Sequence, residues 1–172
     1  MKAIVAVDKN WGIGKNNSLL FSVPSDMKFF RAETLGKVIV VGRKTLESFP
    51  GGRPLPGRTN VVLTTKGSIE GVITVSDIKA LMRVLGDFCA DDVYVCGGAS
   101  VYKTLLPFCG EALVTKIDAE READVFFPDL DREKGWVKES QSENVNDGGL
   151  VIKFCKYRNL HPLRAEDAEN IV

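Results

Sequence analysis

Apolar positions along this chain follow two rhythms. Short β-branched runs at residues 3–7, 38–41, 60–64, 72–75, 93–96 and 112–117 predict strands. Several are continuously apolar, the pattern of strands covered on both faces. Between them the spacing lengthens to that of helices. Ile78, Leu81, Met82 and Leu85 fall at i, i+3, i+4 and i+7, with Ser76 ahead of them as a candidate N-cap and Gly86 behind as a stop. Val101, Leu105 and Leu106 repeat that spacing before Pro107, and residues 24–35 form a third such segment, with Pro24 suited to a first turn. Strand–helix–strand alternation predicts an α/β fold on a largely parallel sheet with flanking helices.

The end of the chain is patterned differently. Residues 136–143 and 150–157 read as two strands. The turn-rich Asn144-Val145-Asn146-Asp147-Gly148-Gly149 between them predicts a loop that closes an antiparallel hairpin on one edge of the sheet. No repeat or linker divides the chain, so one domain is expected over 1–160. Residues 161–172 predict a polar tail, either a short helix or a disordered end.

Composition narrows the function classes. With 172 residues, 44% of them hydrophobic, the chain can bury a core without disulfides or a metal. The 23 basic and 23 acidic residues cancel, which removes any general attraction to nucleic acid or an anionic membrane; an anion site has to be local. No apolar run approaches the roughly 18 residues of a membrane span. The first apolar stretch meets Asp8 and Lys9 too soon for a signal-peptide core. Cys89, Cys96, Cys109 and Cys155 form no C-x-x-C pair and His161 is the sole histidine, so no metal site is expected. The cysteines are expected to be small buried hydrophobes in a reducing, cytoplasmic setting.

Chemistry is concentrated where glycine, charge and turns follow the predicted strands. Residues 10–21 (Asn-Trp-Gly-Ile-Gly-Lys-Asn-Asn-Ser-Leu-Leu-Phe) predict a mobile loop, neither strand nor helix, whose apolar end can fold over a ligand. Asp26 falls in a first helical turn with Phe30 one turn on. Partial desolvation there would raise its pKa toward acid–base use, although an acid at that position also complements the helix dipole. Gly42-Arg43-Lys44-Thr45 runs from strand to helix with free amides and two cations, which suits a phosphate or a solvated turn. Gly97 and Gly98 let backbone approach a pyrophosphate, yet they do not make G-x-G-x-x-G, and a tight turn uses the same residues. Two prolines and two glycines between Gly52 and Gly57 make a stiff loop. It presents Arg58 for bidentate grip on a carboxylate, or simply at the surface.

The order of these segments is more specific than any one of them. A-V-D-K-N-W-G-I-G-K-N, P-S-D-M-K-F-F, V-V-G-R-K-T-L-E-S, G-R-P-L-P-G-R-T-N-V-V-L-T, V-Y-V-C-G-G-A-S-V-Y and T-K-I-D-A-E-R-E-A-D-V-F-F-P-D succeed one another between Lys2 and Tyr157. Together they strongly resemble bacterial dihydrofolate reductases. The resemblance implies an eight-stranded, mostly parallel sheet with flanking helices, a monomer, and reduction of dihydrofolate with NADPH. It implies that Asp26 is the carboxylate that holds the pterin and promotes protonation at N5, with Thr115 bonded to it and Leu19 and Phe21 closing the reacting centre. Ile4, Val5, Met27, Phe30, Phe49 and Leu55 match the pocket walls, and Arg58 matches the arginine that grips the glutamate tail.

For NADPH the resemblance implies Ala6, Ile13, Gly14 and Leu19 around the nicotinamide. It also implies Gly42, Arg43, Lys44 and Thr45 at a phosphate and Thr64, Thr65 and Lys66 on the adenosine side. Cys96, Gly97, Gly98, Ala99, Ser100, Val101 and Tyr102 match the diphosphate turn, whose Gly-Gly bond is cis in the family. Phe21 stands where many members have tryptophan, Leu20 where many have proline, and Cys96 where an aliphatic residue is common. Pro50-Gly51-Gly52 lengthens one loop, and nothing past Asn159 has a counterpart. The rival readings are a same-fold NADPH reductase acting on another pterin or a ribosylamino-pyrimidine, and a non-catalytic NADPH-binding module.

Overall fold

The computed structural model describes residues 1–170. The elements run β1 (Lys2–Val7), β2 (Gly12–Lys15), β3 (Ser18–Leu19), α1 (Pro24–Thr34), β4 (Val38–Gly42), α2 (Arg43–Ser48), β5 (Thr59–Leu63), β6 (Ile73–Val75), α3 (Ile78–Leu85), β7 (Val93–Gly97), α4 (Ala99–Leu105), β8 (Glu111–Ile117), β9 (Val125–Phe126), β10 (Trp136–Gln141), β11 (Val145–Asp147) and β12 (Leu150–Asn159). Eight strands lie side by side in the order β10-β12-β8-β1-β7-β4-β5-β6, and β11 adds to the same sheet by pairing with β12. The pairs from β8 through β6 are parallel; those made by β12 are antiparallel. This is the expected mostly parallel eight-stranded sheet with a C-terminal antiparallel edge.

Strand alternation divides the core into two faces. Ala3, Val5 and Val7 of β1 join Val38, Val40, Val61, Val93 and Val95 beneath Leu81 and Leu85 of α3 and Val101, Tyr102 and Leu105 of α4. Ile4 and Ala6 point the other way. Ile4 packs with Ile39, Tyr94 and the α1 residue Phe30, while Ala6 lies against Phe21, Val23, Ile117 and Ile152. Val5 therefore turns its side chain into the main core, away from Ile4 and Ala6.

Four local expectations are corrected. Residues 12–19 are not an unpaired mobile loop but a hairpin, β2–β3, which also pairs with β9. Its two-residue turn has φ of 50° at Asn16 and 59° at Asn17, the left-handed pair that asparagine tolerates. The cap of α3 is Asp77, whose side chain accepts from the Ala80 N–H at 2.8 Å; Ser76 instead donates to Asp77. The closing turn of the last hairpin is only Gly148-Gly149, because Asp147 already pairs with Leu150. Of the cysteines, Cys109 and Cys155 are buried, Cys96 is half-buried and Cys89 is exposed, and all four are free.

The tail is ordered as a 3-10 turn over Ala165–Asn170. Its Ala168 is 1% exposed and enters the main core, Glu169 lies 3.5 Å from Lys79 of α3, and the Leu163 N–H donates to the Pro107 carbonyl. Residues 171 and 172 of the expected tail lie outside the described residues. Among the described residues no helix is long and apolar enough to cross a membrane. Removing residues 161–172 should cost about 1–2 kcal/mol of lost burial and lower the thermal midpoint by about 2–8 °C. Circular dichroism melts of the two chains test this, and equal midpoints would show that the tail packs without stabilising.

Candidate active site

Helix α1 opens on Pro24, and its N-cap residue Val23 offers no side-chain cap. The acceptor comes from far along the chain. The Ser25 N–H donates to Asp147 Oδ2 at 2.5 Å, across 122 positions. Bonds from Ser25 hold the Asp147 carboxyl below the usual carboxylate range.

Asp26 is the next residue. Burial disfavours its charged form and raises its pKa, while the hydrogen bond from the Thr115 hydroxyl opposes part of that rise. Thr115 is buried on β8 between Ala6 of β1 and Phe154 of β12. Phe154 in turn meets Phe29 of α1, with ring centroids 4.8 Å apart. Ile4, Phe30, Phe49 and Leu55 share one apolar cluster, with Cys96 at its edge. Phe21 is buried beside Ala6. Leu19 and Met27 do not join the wall: they are 78% and 58% exposed.

Arg58 is held from two sides. Its Nε donates to Thr34 Oγ1 at 3.1 Å and its Nη1 to the Pro56 carbonyl at 2.8 Å. Thr34 is itself fixed by donating to the Phe30 carbonyl. Asn60 pins the loop beneath, accepting from the Leu55 N–H and donating to the Leu55 and Arg58 carbonyls at 2.9 and 3.1 Å. Burial and then the nearby Arg31 lower the Arg58 pKa from its usual value. Two neighbouring guanidiniums with no carboxylate partner among the described residues suit an anion. Thr34, Asn60 and Arg31 are absent from the sequence-based set. Asn60 did carry a signal: a polar residue at the head of an apolar strand.

A second region forms where β4 and β7 end side by side, with Val41 in register with Gly97. The Gly97–Gly98 peptide is cis, as the resemblance implies, and Gly97 has φ of 113°. A Cβ on Gly98 would lie 3.2 Å from Thr45 Oγ1, and one on Gly42 would lie 3.2 Å from Val101 Cγ2. Glycine at both positions lets the two turns approach without crowding these side chains. The Thr45 hydroxyl lies against the Gly98 turn, so exposed backbone and a hydroxyl come together there. Beside it a groove of about 420 Å³ is lined by Ala99, Ser100, Lys103, Phe126, Phe127 and Pro128. Tyr102 is buried below and donates to the Ile4 carbonyl at 2.6 Å; burial pushes its pKa far up, so it stays neutral.

The basic residues divide their roles. Arg43 is engaged internally, Nε with Glu47 at 3.0 Å and Nη1 with the Lys66 carbonyl at 2.6 Å, so it struts α2 against the 64–66 segment. Lys44, Thr65 and Lys66 are exposed, and Thr64 accepts from the Lys66 N–H. The β2–β3 hairpin spans the two regions. Asn17 donates to the Lys44 carbonyl at 3.2 Å, the Asn16 N–H donates to Asp124 at 2.8 Å, and Ile13 packs on the main core. A separate hollow of about 200 Å³ around Asp8, Trp11, Lys116 and Asp131 contains none of the expected site residues.

Comparisons with known proteins agree with this arrangement. The family model described as dihydrofolate reductase matches residues 1–159. The dihydrofolate reductase of Neisseria gonorrhoeae is 33% identical over 156 residues, covering 90% of this chain and 94% of its own. That of Bacillus subtilis (strain 168) is 38% identical over 148 residues, covering 84% of each. The solved structure of dihydrofolate reductase from Enterococcus faecalis, complexed with NADP(H) and RAB-propyl, superposes with a TM-score of 0.78 at 34% identity, over 92% of this chain and 95% of that one.

The raised pKa of Asp26 has a consequence for stability. A carboxyl with a higher pKa folded than unfolded favours folding when protonated. That contribution is complete below the unfolded-state pKa and is lost as pH rises through the folded one. Asp26→Asn, permanently neutral, should therefore melt above the wild type at pH 7, with the gap closing below about pH 4. A wild type as stable as the variant at pH 7 would contradict the burial penalty.

Proposed function

The chain belongs to the dihydrofolate reductase family, and on that footing we propose which of its residues carry out the NADPH-dependent reduction of 7,8-dihydrofolate to 5,6,7,8-tetrahydrofolate. The reaction saturates the N5=C6 bond of the pterin, adding hydride at C6 and a proton at N5. Bound NADPH supplies the hydride. The protein's share is to align two rings in a water-poor cleft and to secure one proton.

Asp26 takes the proton-handling role. Its carboxylate faces the pterin's amino-pyrimidine edge, oriented by the Thr115 hydroxyl. Because burial disfavours its charge, it holds a proton more readily than an exposed aspartate and so promotes protonation at N5. Ile4, Phe30, Phe49 and Leu55 exclude water from the ring, with Phe21 packed alongside. Arg58, steadied by Thr34 and Asn60, grips the α-carboxylate of the glutamate tail. Substrates without that carboxylate would leave Arg58 unused, which favours dihydrofolate over a ribosylamino-pyrimidine. The Gly42–Thr45 and Gly97–Tyr102 turns hold the diphosphate of NADPH, and exposed Lys44 and Lys66 supply charge for its 2′-phosphate. The observation that carries the reading is one half-buried, pKa-raised carboxyl on α1, whose Phe30 belongs to an apolar cluster, together with Arg58, which has no carboxylate partner among the described residues.

We assign residues 1–160 to the catalytic domain and residues 161–170 to a brace on α3. We also propose that the protein acts as a monomer. Four free cysteines suit the reducing cytoplasm.

Loss of absorbance at the NADPH band on mixing protein, NADPH and dihydrofolate tests the reaction; a flat trace despite NADPH binding would overturn it. Asp26→Asn should lower kcat by about 10²–10⁴-fold, most at high pH where the substrate lacks its proton. Arg58→Gln should raise KM for dihydrofolate by about 10–100-fold, the equivalent of one charge-assisted hydrogen bond, with kcat changed much less. An unaltered KM would remove Arg58 from the tail site.

A further inference from the structure

The segment between the hairpin and α1 changes character abruptly: Leu19 is 78% exposed, yet Leu20 and Phe21 are each only 8% exposed. The change coincides with one side chain. Arg121, on the connection between β8 and β9, lays its guanidinium on the Phe21 ring, with Cζ 4.3 Å from the centroid. Its Nη1 donates to the Leu20 carbonyl at 2.6 Å. We propose that Arg121 is a positioning residue for the reduction, a clamp that sets Phe21 and Leu20 in place through its stack and its hydrogen bond. The proposal rests on the reaction assigned above.

The clamp has a fixed base. The Arg121 N–H donates to Asp8 Oδ2 at 3.2 Å, while Asp8 Oδ1 accepts from the Asn10 and Gly12 N–H groups at 2.8 Å each. The Lys9 N–H donates to the Ala119 carbonyl. Arg121 thus projects from a backbone tied to the end of β1, and its grip on Phe21 does not depend on the hairpin holding itself in place. Gly12 leaves the space that Leu20 uses: a Cβ there would lie 2.8 Å from Ala123 Cβ and 3.0 Å from Leu20 Cδ1.

What the clamp positions lies next to the chemistry. Phe21 shares one apolar cluster with Leu20 and Val23, and Ala6 and Phe154 pack against that cluster. Ala6 and Phe154 are the strand neighbours of Thr115, whose hydroxyl opposes part of the rise in the Asp26 pKa. Arg121 is not among the groups that shift the Asp26 pKa, so its influence passes through the placement of Phe21 and Leu20 rather than through charge. A planar guanidinium can stack and donate at once, which an ammonium cannot.

The test is the single-turnover rate of NADPH oxidation, per active site counted by stoichiometric ligand binding, in wild type, R121Q, F21L and the double variant. Amide exchange over residues 18–22 is measured in parallel without ligands. R121Q should slow turnover by about five- to tenfold, the worth of one exposed cation–π contact and one hydrogen bond. KM for dihydrofolate should stay within about twofold and the pH dependence should keep its midpoint. In the F21L background the same change should cost no more than about twofold, and exchange over 18–22 should quicken in R121Q. Equal losses in both backgrounds, or unchanged exchange, would overturn the clamp. If F21L fails to fold, R121K takes its place: it keeps the charge and a donor but not the planar face laid on Phe21, so it should stay within about twofold of R121Q, and an R121K as fast as the wild type overturns the proposal. A wild type that folds, shows the slow exchange and turns nothing over would instead overturn the assigned reaction.

Discussion

Keeping an ionisable carboxyl among aromatic and aliphatic groups, yet still able to titrate, is the constraint around which this molecule is arranged. A fully buried, unpartnered charge would be too costly to keep, and an exposed one would have no special basicity. Asp26 lies between those limits. It sits in the first turn of α1, where the helix dipole favours negative charge, while Thr115 offers one hydroxyl and the surrounding rings offer none. For that balance to hold, α1 has to lie at a set height above β8. The packing of Phe29 on Phe154 and the cap from Asp147 fix that height.

The second region obeys a different rule. There the limiting quantity is space between backbones, because β4 and β7 bring their ends together and any side chain on Gly42 or Gly98 would meet Val101 or Thr45. Parallel neighbours deliver both turns to the same edge of the sheet, the edge at which α/β sheets generally bind ligands. The two regions share β1 as a wall. Ile4 lines one with its side chain, and its carbonyl secures Tyr102, which lies under the other.

Much of this was legible in the sequence, and the reasons differ by element. Buried parallel strands announce themselves by unbroken β-branched runs, so the sheet was readable almost strand by strand. Asp26, Arg58 and the glycine pairs stood out because residue type, position and order coincided. The hairpin at 12–19 was hidden, since asparagines that permit two left-handed residues look the same as asparagines in an unpaired loop. Asp77 was hidden behind Ser76, an equally good capping residue one position away. Thr34 and Arg121 gave no signal at all. Their partners are brought near only by the fold, Thr34 to Arg58 across 24 positions and Arg121 to Leu20 across 101. Arg43 illustrates the converse: a cation placed where a phosphate is expected turns out to be spent on Glu47 and a carbonyl.

The bond between Ser25 and Asp147 also bears on how the protein is made. A ribosome emits α1 and its aspartate well before the acceptor that caps this helix and before Phe154 that props Phe29, both of which belong to the β11–β12 hairpin. Strand β12 then inserts between β8 and β10, its pairs with β8 running from Ile152 to Arg158. Until that late segment arrives the nascent chain has a site with one wall missing, and β8 presents an unpaired edge. Completion of catalytic geometry and sealing of a sticky strand are therefore a single event, set by the arrival of β12.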